Sequence, residues 1–282
     1  MNLIKSISEK KKNENQFLFY NITFSLFCLL FSSIGLIVDD RILQYSPIWL
    51  KPFKFAFSSL LFSSSLYYFN IYLPKSKLIK MSNMIIGSML NLELAIIYFQ
   101  AYRGRMSHFN YTTLEDMILF QLMAFGIIAV WIVLFAYVFF FLKLNVKSNL
   151  ILHAIRISLV ITFLSMASAF TMTTPNKSEI EKIVANKGII GLTVGSHSVA
   201  EKDPSQVMPI TKWALTGGDL RIAHFVGLHA IQILPLIAFF FLLIKLDYKI
   251  SLFFVYTLAF MYFAIFLFVL LQALQGIPLV VT

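Results

Sequence analysis

The segment QFLFYNITFSLFCLLFSSIGLIV, residues 16–38, decides the fold class. It contains no charged side chain over its whole length, whereas about 20 predominantly apolar residues suffice to cross a bilayer as an α-helix. The run is longer than the apolar region of a secretory signal and lacks a small-x-small cleavage site. We therefore expect a retained membrane-spanning helix in the first part of the chain.

The same apolar character continues along the chain. Of its 282 residues, 59% are hydrophobic and 13% are charged, against about 45–50% and about 25% in soluble domains. Seven apolar runs predict an all-α integral membrane protein, a bundle of seven transmembrane helices forming a single domain over residues 1–282. The predicted spans are residues 16–38, 52–73, 82–102, 114–142, 149–172, 221–244 and 251–274.

The distribution of lysines predicts the orientation. Lysines cluster before the first span and in the short loops that follow the second, fourth and sixth spans. Because short cytoplasmic loops are rich in Lys and Arg, we expect a cytoplasmic N-terminus and an exterior C-terminus in a cell membrane. The same rule explains the net charge of +10 without a nucleic-acid partner. The lipid bilayer is the expected partner, and the sequence leaves the oligomeric state open.

The predicted exterior segments carry a different chemistry. Arginines stand beside acids, histidines and aromatics in DDR (39–41), WLKPFKF (49–55), YRGRMSHFNYTTLED (102–116) and GGDLRIAHF (217–225). A helical bundle would gather these segments around one exterior mouth, where we expect a small molecule or a lipid to bind. The expected binding residues are Gln100, Arg103, Arg105, Asp219 and Gln275. The long loop 173–220 contains the amphipathic segment NKSEIEKIVANKG and is a candidate lid.

The segment GGDLRIAHFVGLHAIQILP, residues 217–235, places polar side chains at the start of an apolar run. A cation in the first turn of a helix opposes the helix dipole, so Arg221 needs an anionic partner. His224 and His229 are five residues apart and point about 140° from each other. They are poorly placed to hold one metal together, but each could meet a partner from a different helix.

Histidine is the usual neutral ligand for zinc, copper and haem iron. We therefore expect a haem or a His-bound divalent metal as cofactor. Cys28 is the only cysteine and lies within an apolar run, which excludes a thiolate cluster, and His197 is interpreted as incidental. The expected cofactor-binding residues are His108, His224, His229 and Gln232, of which the three histidines are the expected metal ligands.

Glu93 lies near the middle of the third predicted span. An ionisable side chain at that depth costs several kcal/mol unless it is paired or neutral, and it indicates a functional residue. Gln100 follows seven residues later on the same stripe of the helix and leads toward Arg103. The partners expected for Glu93 are Arg156, His229, Gln272 and Gln275. The expected catalytic residues are Glu93, His229 and Arg221.

The segments RGRMSHFN (103–110) and GGDLRIAHFVGLHAIQILP, together with WLKPFKF, carry a resemblance. The chain resembles a group of uncharacterised bacterial multi-pass membrane proteins with RGxxSHFN and GGDLRxxHFxGLHxxQxLP segments. The resemblance covers most of the membrane part. It implies a location in the bacterial cytoplasmic membrane and no activity.

Three functions are compatible with these residues. The favoured one is a cofactor-dependent membrane enzyme or redox protein with an exterior-facing His, Arg and carboxylate site. The second is a proton-coupled carrier of a small or anionic solute in which Glu93 titrates. The third is a ligand-binding seven-helix receptor or sensor. The sequence does not decide whether the protein is an enzyme.

Overall fold

The computed structural model describes residues 15–145 and 149–280. Of these described residues, 69% are helical. Its helices are α1 (Gln16–Val38), α2 (Leu50–Phe69), α3 (Lys77–Tyr102), α4 (Leu114–Lys143), α5 (Leu150–Ala167), α6 (Phe170–Thr173), α7 (Lys177–Ala185), α8 (Leu220–Leu243) and α9 (Tyr248–Leu274). Its strands are β1 (Ile42–Leu43), β2 (Ser46–Pro47), β3 (Asn110–Tyr111), β4 (Leu192–Thr193), β5 (Ser198–Val199) and β6 (Gly218–Asp219).

The prediction of an all-α, multi-pass membrane protein is confirmed. Six helical segments are long and apolar enough to cross a bilayer: Gln16–Val38, Lys77–Tyr102, Leu114–Lys143, Leu150–Thr173, Leu220–Leu243 and Tyr248–Leu274. The remaining predicted span, residues 52–73, corresponds to α2, which is shorter and carries two lysines and five serines. The count of seven spans therefore stays a prediction. So does the orientation, since the N-terminal lysines and Lys147 lie outside the described residues.

The helix ends follow from local sequence. Helix α3 begins at Lys77, five residues before the predicted start, because the Ser76 side chain accepts a hydrogen bond from the Leu78 amide and caps the helix. Helix α8 begins after Asp219, which caps it in the same way through the Arg221 amide. Both contacts satisfy an amide that the first helical turn leaves without a backbone partner.

The contacts between Cα atoms divide the chain into two compact units. Unit 1 comprises the described residues 15–107 and 118–140, and unit 2 comprises residues 108–117 and 141–280. In unit 1, α1 packs against α2 and α3. In unit 2, α5 and α9 pack against α8. A single transmembrane domain stays a prediction.

In each unit, a glycine allows one helix to lie unusually close to another. In unit 1, a Cβ atom on Gly87 would lie 2.3 Å from the Phe17 carbonyl oxygen. In unit 2, a Cβ atom on Gly227 of α8 would lie 2.1 Å from the Ser165 Cβ of α5. Only hydrogen occupies either space, so glycine allows the helices to meet at these two points.

The loop between α6 and α8 is ordered by short strands within unit 2. Strand β3 pairs with β4, and β5 pairs with β6. Helix α7 begins with a capping box formed by Asn176 and Glu179, and every residue of α7 is at least partly exposed. The predicted amphipathic helix in this loop is therefore present, whereas a lid function stays a prediction.

Candidate functional site

A cluster of buried amides lies at one end of unit 1. Asn70 Nδ2 donates to Asn15 Oδ1 at 2.8 Å and to Asn83 Oδ1 at 3.3 Å. Asn83 Nδ2 donates to Asn15 Oδ1 at 3.1 Å. The Tyr137 hydroxyl from α4 donates to Asn70 Oδ1 at 3.0 Å and also to Asn83 Oδ1. All four side chains are buried, so this cluster joins α3 and α4 to the residues that flank α1 and α2.

A second polar layer crosses α1, α2 and α3 farther along the unit. Asn21 Nδ2 donates to Asn91 Oδ1 at 2.8 Å. Asn21 Oδ1 accepts from the Ser59 hydroxyl at 3.0 Å and the Ser63 hydroxyl at 2.6 Å. The Ser25 hydroxyl donates to Ser59 Oγ at 3.1 Å. One asparagine thus connects the three helices through its own amide.

Glu93 lies on another side of α3. It is partly buried, and Lys51 in the first turn of α2 acts electrostatically on its carboxylate. Because successive helical residues turn by about 100°, Asn91 and Glu93 point about 160° apart. Helix α3 therefore carries two polar sides within unit 1.

The predicted stripe beyond Glu93 is present on α3. Gln100 is fully buried, and its Nε2 donates to the Met106 carbonyl at 3.3 Å. Arg103 Nη1 donates to Gln100 Oε1 at 3.2 Å. The side chain of Arg105 is exposed. Two of the predicted binding residues, Gln100 and Arg103, are thus in direct contact.

Arg156, a predicted partner of Glu93, makes its hydrogen bonds within unit 2. Its Nε donates to the Phe141 carbonyl at 3.0 Å, and its Nη2 donates to the Leu144 carbonyl at 2.7 Å. These carbonyls belong to the last turn of α4 and the residue after it, where no amide further along the helix is available as a donor. Arg156 therefore acts as a cap for the end of α4.

Arg221 and Asp219 form an ion pair in unit 2. Arg221 Nη2 lies 2.5 Å from Asp219 Oδ2 and donates to the Lys212 carbonyl at 2.7 Å. Asp219 Oδ2 also accepts from the Ala214 amide at 2.8 Å. The aspartate side chain is completely buried. The anionic partner that the sequence requires for Arg221 is therefore Asp219.

Further ionisable and aromatic groups lie around this pair. Burial and the nearby Asp219 carboxylate raise the pKa of Glu201, while a hydrogen bond with Ser198 lowers it. The His197 ring packs edge-on against Phe109, with 4.9 Å between ring centroids, and the His197 carbonyl accepts from the Leu220 amide at 2.9 Å. His197, interpreted as incidental from the sequence, thus helps to hold the start of α8.

The histidines of α8 have partners of different kinds. His224 Nδ1 lies 3.4 Å from the Ser165 carbonyl oxygen of α5. His229 Nδ1 lies 3.1 Å from Gln232 Oε1 on the same helix, and its ring lies 4.3 Å from that of Phe225. His224 therefore meets a neighbouring helix, as predicted, whereas the described partner of His229 is local.

Two other predicted residues, His108 and Gln275, have the following surroundings. The His108 ring lies 6.1 Å from the ring of Phe109, and Gln275 caps the end of α9. Among residues 15–145 and 149–280, no group of three or more His, Cys, Asp or Glu side chains is arranged to hold a metal ion. The His108, His224 and His229 site stays a prediction.

Sequence reasoning overlooked most of the polar residues inside unit 1. Asn21, Asn70, Asn83 and Tyr137 were given no role, although the first of these amides interrupts an apolar run. A signal was available, since amides inside membrane helices face protein rather than lipid. Their mutual contacts were not visible, because Asn21 and Asn91 are 70 residues apart.

Comparisons with known proteins found no match for this chain among family models, curated proteins or solved structures. Its function is therefore argued from the geometry of its own residues.

Proposed function

We propose that the protein is a proton-coupled membrane carrier of a small polar or anionic solute. The solute path lies inside unit 1, and Glu93 is the group that takes up and releases the proton. One observation carries this proposal: polar side chains bond to each other across α1, α2 and α3 at successive depths of the same unit.

The depth of these residues supports a path between the two sides of the membrane. At about 1.5 Å per residue, the distance along α3 from Asn83 to Gln100 is about 26 Å. The hydrocarbon core of a bilayer is about 30 Å thick. Asn83 and Gln100 therefore mark the two ends of the polar region along α3. Asn91 and Glu93 lie between them in depth, on the two polar sides of the helix.

Stability alone is a weak reason for these side chains. Hydrogen bonds between side chains of membrane helices contribute about 0.6 kcal/mol on average. Leucine or alanine at Asn21, Ser59 and Ser63 would spare the chain the cost of inserting polar groups into the membrane. Polar side chains that line a bundle interior commonly mark substrate and ion paths, and this function accounts for the whole set.

The neighbouring Lys51 and Glu93 suggest how proton and solute are coupled. When Glu93 is ionised, its carboxylate compensates the charge of Lys51. When Glu93 takes up a proton, the positive charge of Lys51 becomes available to an anionic solute. Proton and anion would then bind together and leave together, which is symport. Because the low dielectric of the interior strengthens such interactions, the two events would be tightly linked.

The test is solute-driven proton movement into proteoliposomes that contain a trapped pH-sensitive dye. The probes are inorganic phosphate, succinate, glutamate and neutral serine, each applied as an inward gradient. We expect at least one anion to acidify the lumen, and Glu93→Gln to lower that rate by about 10-fold or more. Glu115→Gln is the matched control, since Glu115 is exposed at the start of α4. If the Glu93→Gln protein acidifies the lumen at the wild-type rate, the proposal is rejected. It is also rejected if none of the probes acidifies the lumen with the wild-type protein.

The cofactor hypothesis is tested separately. An absorption spectrum and metal analysis of detergent-purified protein would reveal a haem or a stoichiometric metal. His224→Ala and His229→Ala would then locate the ligands. The carrier is the function that the polar contacts between the helices of unit 1 favour.

A further inference from the structure

An aromatic groove opens on the surface of unit 1 beside α1 and α3. Its volume is about 340 Å³, within the range of pockets that bind small ligands. Its walls are mainly aromatic side chains, including Phe31, Trp49, Tyr98 and Phe99, with Cys28 between them. The groove is thus an apolar depression on helices that contact lipid.

Contacts with the rest of unit 1 fix the aromatic side chains that form the walls of the groove. The ring of Trp49 packs against Gly35, where a Cβ atom would lie 2.6 Å from the indole. Trp49 Nε1 donates to Asp39 Oδ2 at 2.7 Å, and the Tyr98 hydroxyl donates to the Cys28 carbonyl at 2.6 Å. The polar atoms of both aromatic residues are therefore bound to protein, and their rings present apolar surface to the groove.

One end of the groove is cationic. The Arg103 guanidinium carbon lies 5.0 Å from the centroid of the Phe99 ring, which lines the groove. Arg41 Nη1 donates to the carbonyl of Tyr102, another lining residue, at 2.9 Å. Segments 39–54 and 102–107 together contain five Lys and Arg residues but two Asp. This end of unit 1 therefore attracts anions.

We propose that this groove is a binding site for one anionic phospholipid. An acyl chain lies against Phe31, Trp49 and Tyr98, and the phosphate lies at the Arg103 end. The argument is complementarity: an apolar channel below a cationic rim matches a lipid with an apolar tail and a negative headgroup, and basic clusters at membrane surfaces select anionic lipids. Lipid is also the one ligand that constantly surrounds a membrane helix.

Quenching of Trp49 fluorescence by brominated lipids tests this site. Trp131→Phe and Trp213→Phe leave Trp49 as the single tryptophan, since the chain contains three. The protein is reconstituted in phosphatidylcholine vesicles with equal small fractions of acyl-brominated phosphatidylglycerol or acyl-brominated phosphatidylcholine. We expect the brominated phosphatidylglycerol to quench Trp49 about twofold more strongly.

Variants separate headgroup recognition from general lipid contact. Arg103→Gln should reduce the preference for phosphatidylglycerol, whereas Arg103→Lys should retain most of it because the charge remains. Lys249→Gln, in unit 2, is the control and should leave the preference unchanged. Equal quenching by both lipids in the parent protein would show non-selective lipid contact and overturn the proposal. Weak quenching by both would show that lipid does not enter the groove and would overturn it as well.

Discussion

The two units use their buried polar side chains differently. In unit 1, Asn21, Asn70, Asn83, Tyr137 and three serines of α1 and α2 bond to side chains of other segments. Other serines of unit 1, such as Ser32 and Ser82, bond to carbonyls of their own helix. In unit 2, polar side chains of the membrane-spanning helices bond mainly to backbone carbonyls, as Ser165 does to the Thr162 carbonyl at 2.9 Å. Side chains that bond to side chains can change partners without breaking a helix. Unit 1 therefore contains side-chain networks that cross its helices, whereas the described polar side chains of unit 2 are mostly held by backbone carbonyls.

A short Asp-x-Arg motif occurs once in each unit, and the two copies differ in how far the aspartate is buried. Asp39 and Arg41 follow α1, while Asp219 and Arg221 begin α8, and in each pair the aspartate accepts from the arginine amide and guanidinium. The Asp39 side chain is 20% exposed, whereas that of Asp219 is 0% exposed. The same three-residue motif thus joins loop residues in unit 1 and closes a buried helix start in unit 2.

The largest expected effect comes from breaking the buried ion pair. Asp219→Asn removes the carboxylate that binds the Arg221 guanidinium and the Ala214 amide. Loss of one partner of a buried pair costs about 3 kcal/mol, so we expect a clear fall in the thermal unfolding temperature in detergent. Asp39→Asn is the matched control and should cause a smaller fall. Equal falls would remove the distinction between the two motifs.

The next effect concerns helix packing in unit 2. Gly227→Val places a side chain where a Cβ atom already lies 2.1 Å from Ser165 Cβ, and overpacking of this kind costs about 1–3 kcal/mol. Gly126→Ala in unit 1 is the control, since its Cβ would meet Met89 Sδ at an ordinary 3.5 Å. Thermal unfolding should separate the two variants. A tolerated Gly227→Val would mean that α5 and α8 are not tightly fixed.

A smaller effect on stability, but a large one on transport, is expected in unit 1. Asn21→Leu removes the bonds to Asn91, Ser59 and Ser63. We expect a stability loss of about 1 kcal/mol together with loss of the solute-driven acidification. Thr23→Val is the control, because the Thr23 hydroxyl bonds only to carbonyls of its own helix among the described contacts. Full transport by a folded Asn21→Leu would place the path elsewhere.

The smallest effect is a pH dependence of the exposed motif. Hydrogen bonds from Arg41 and Trp49 hold the pKa of Asp39 well below its usual range. A depressed folded-state pKa stabilises the fold above the unfolded-state value of about 4 and loses this contribution as the pH falls below it. The unfolding temperature should therefore decline on acidification below about pH 4, and less so in Asp39→Asn. Identical pH profiles would contradict this assignment.

Much of the fold could be predicted from the sequence, because a bilayer requires long apolar helices that satisfy their own backbone. The predicted and observed first helices coincide at residues 16–38. The division into two units could not be predicted, since it depends on contacts such as Gly227 with Ser165 that join distant segments. The strands of the long loop were also missed, because two-residue pairings carry no periodic signal.

The candidate site was predicted only in part. The contact of Gln100 with Arg103 follows from helical spacing. The angle of about 160° between the Asn91 and Glu93 side chains also follows from helical spacing. The amide clusters around Asn21 and Asn83 could not be assembled from one sequence, because each bond joins residues on different helices. The sequence predicts histidines as cofactor ligands, whereas the described side-chain contacts that cross the helices of unit 1 use asparagine, serine and Tyr137.

The most direct test of the proton-coupled path compares exchange with net uptake in Glu93→Gln proteoliposomes, using a radiolabelled anion that the wild-type protein carries. Glutamine imitates the protonated carboxyl group, so the variant can bind the anion but cannot release a proton. We predict that exchange of internal for external anion continues, while net uptake driven by a pH gradient is lost. Net uptake that remains at the wild-type rate would contradict the assignment of Glu93 as the coupling group.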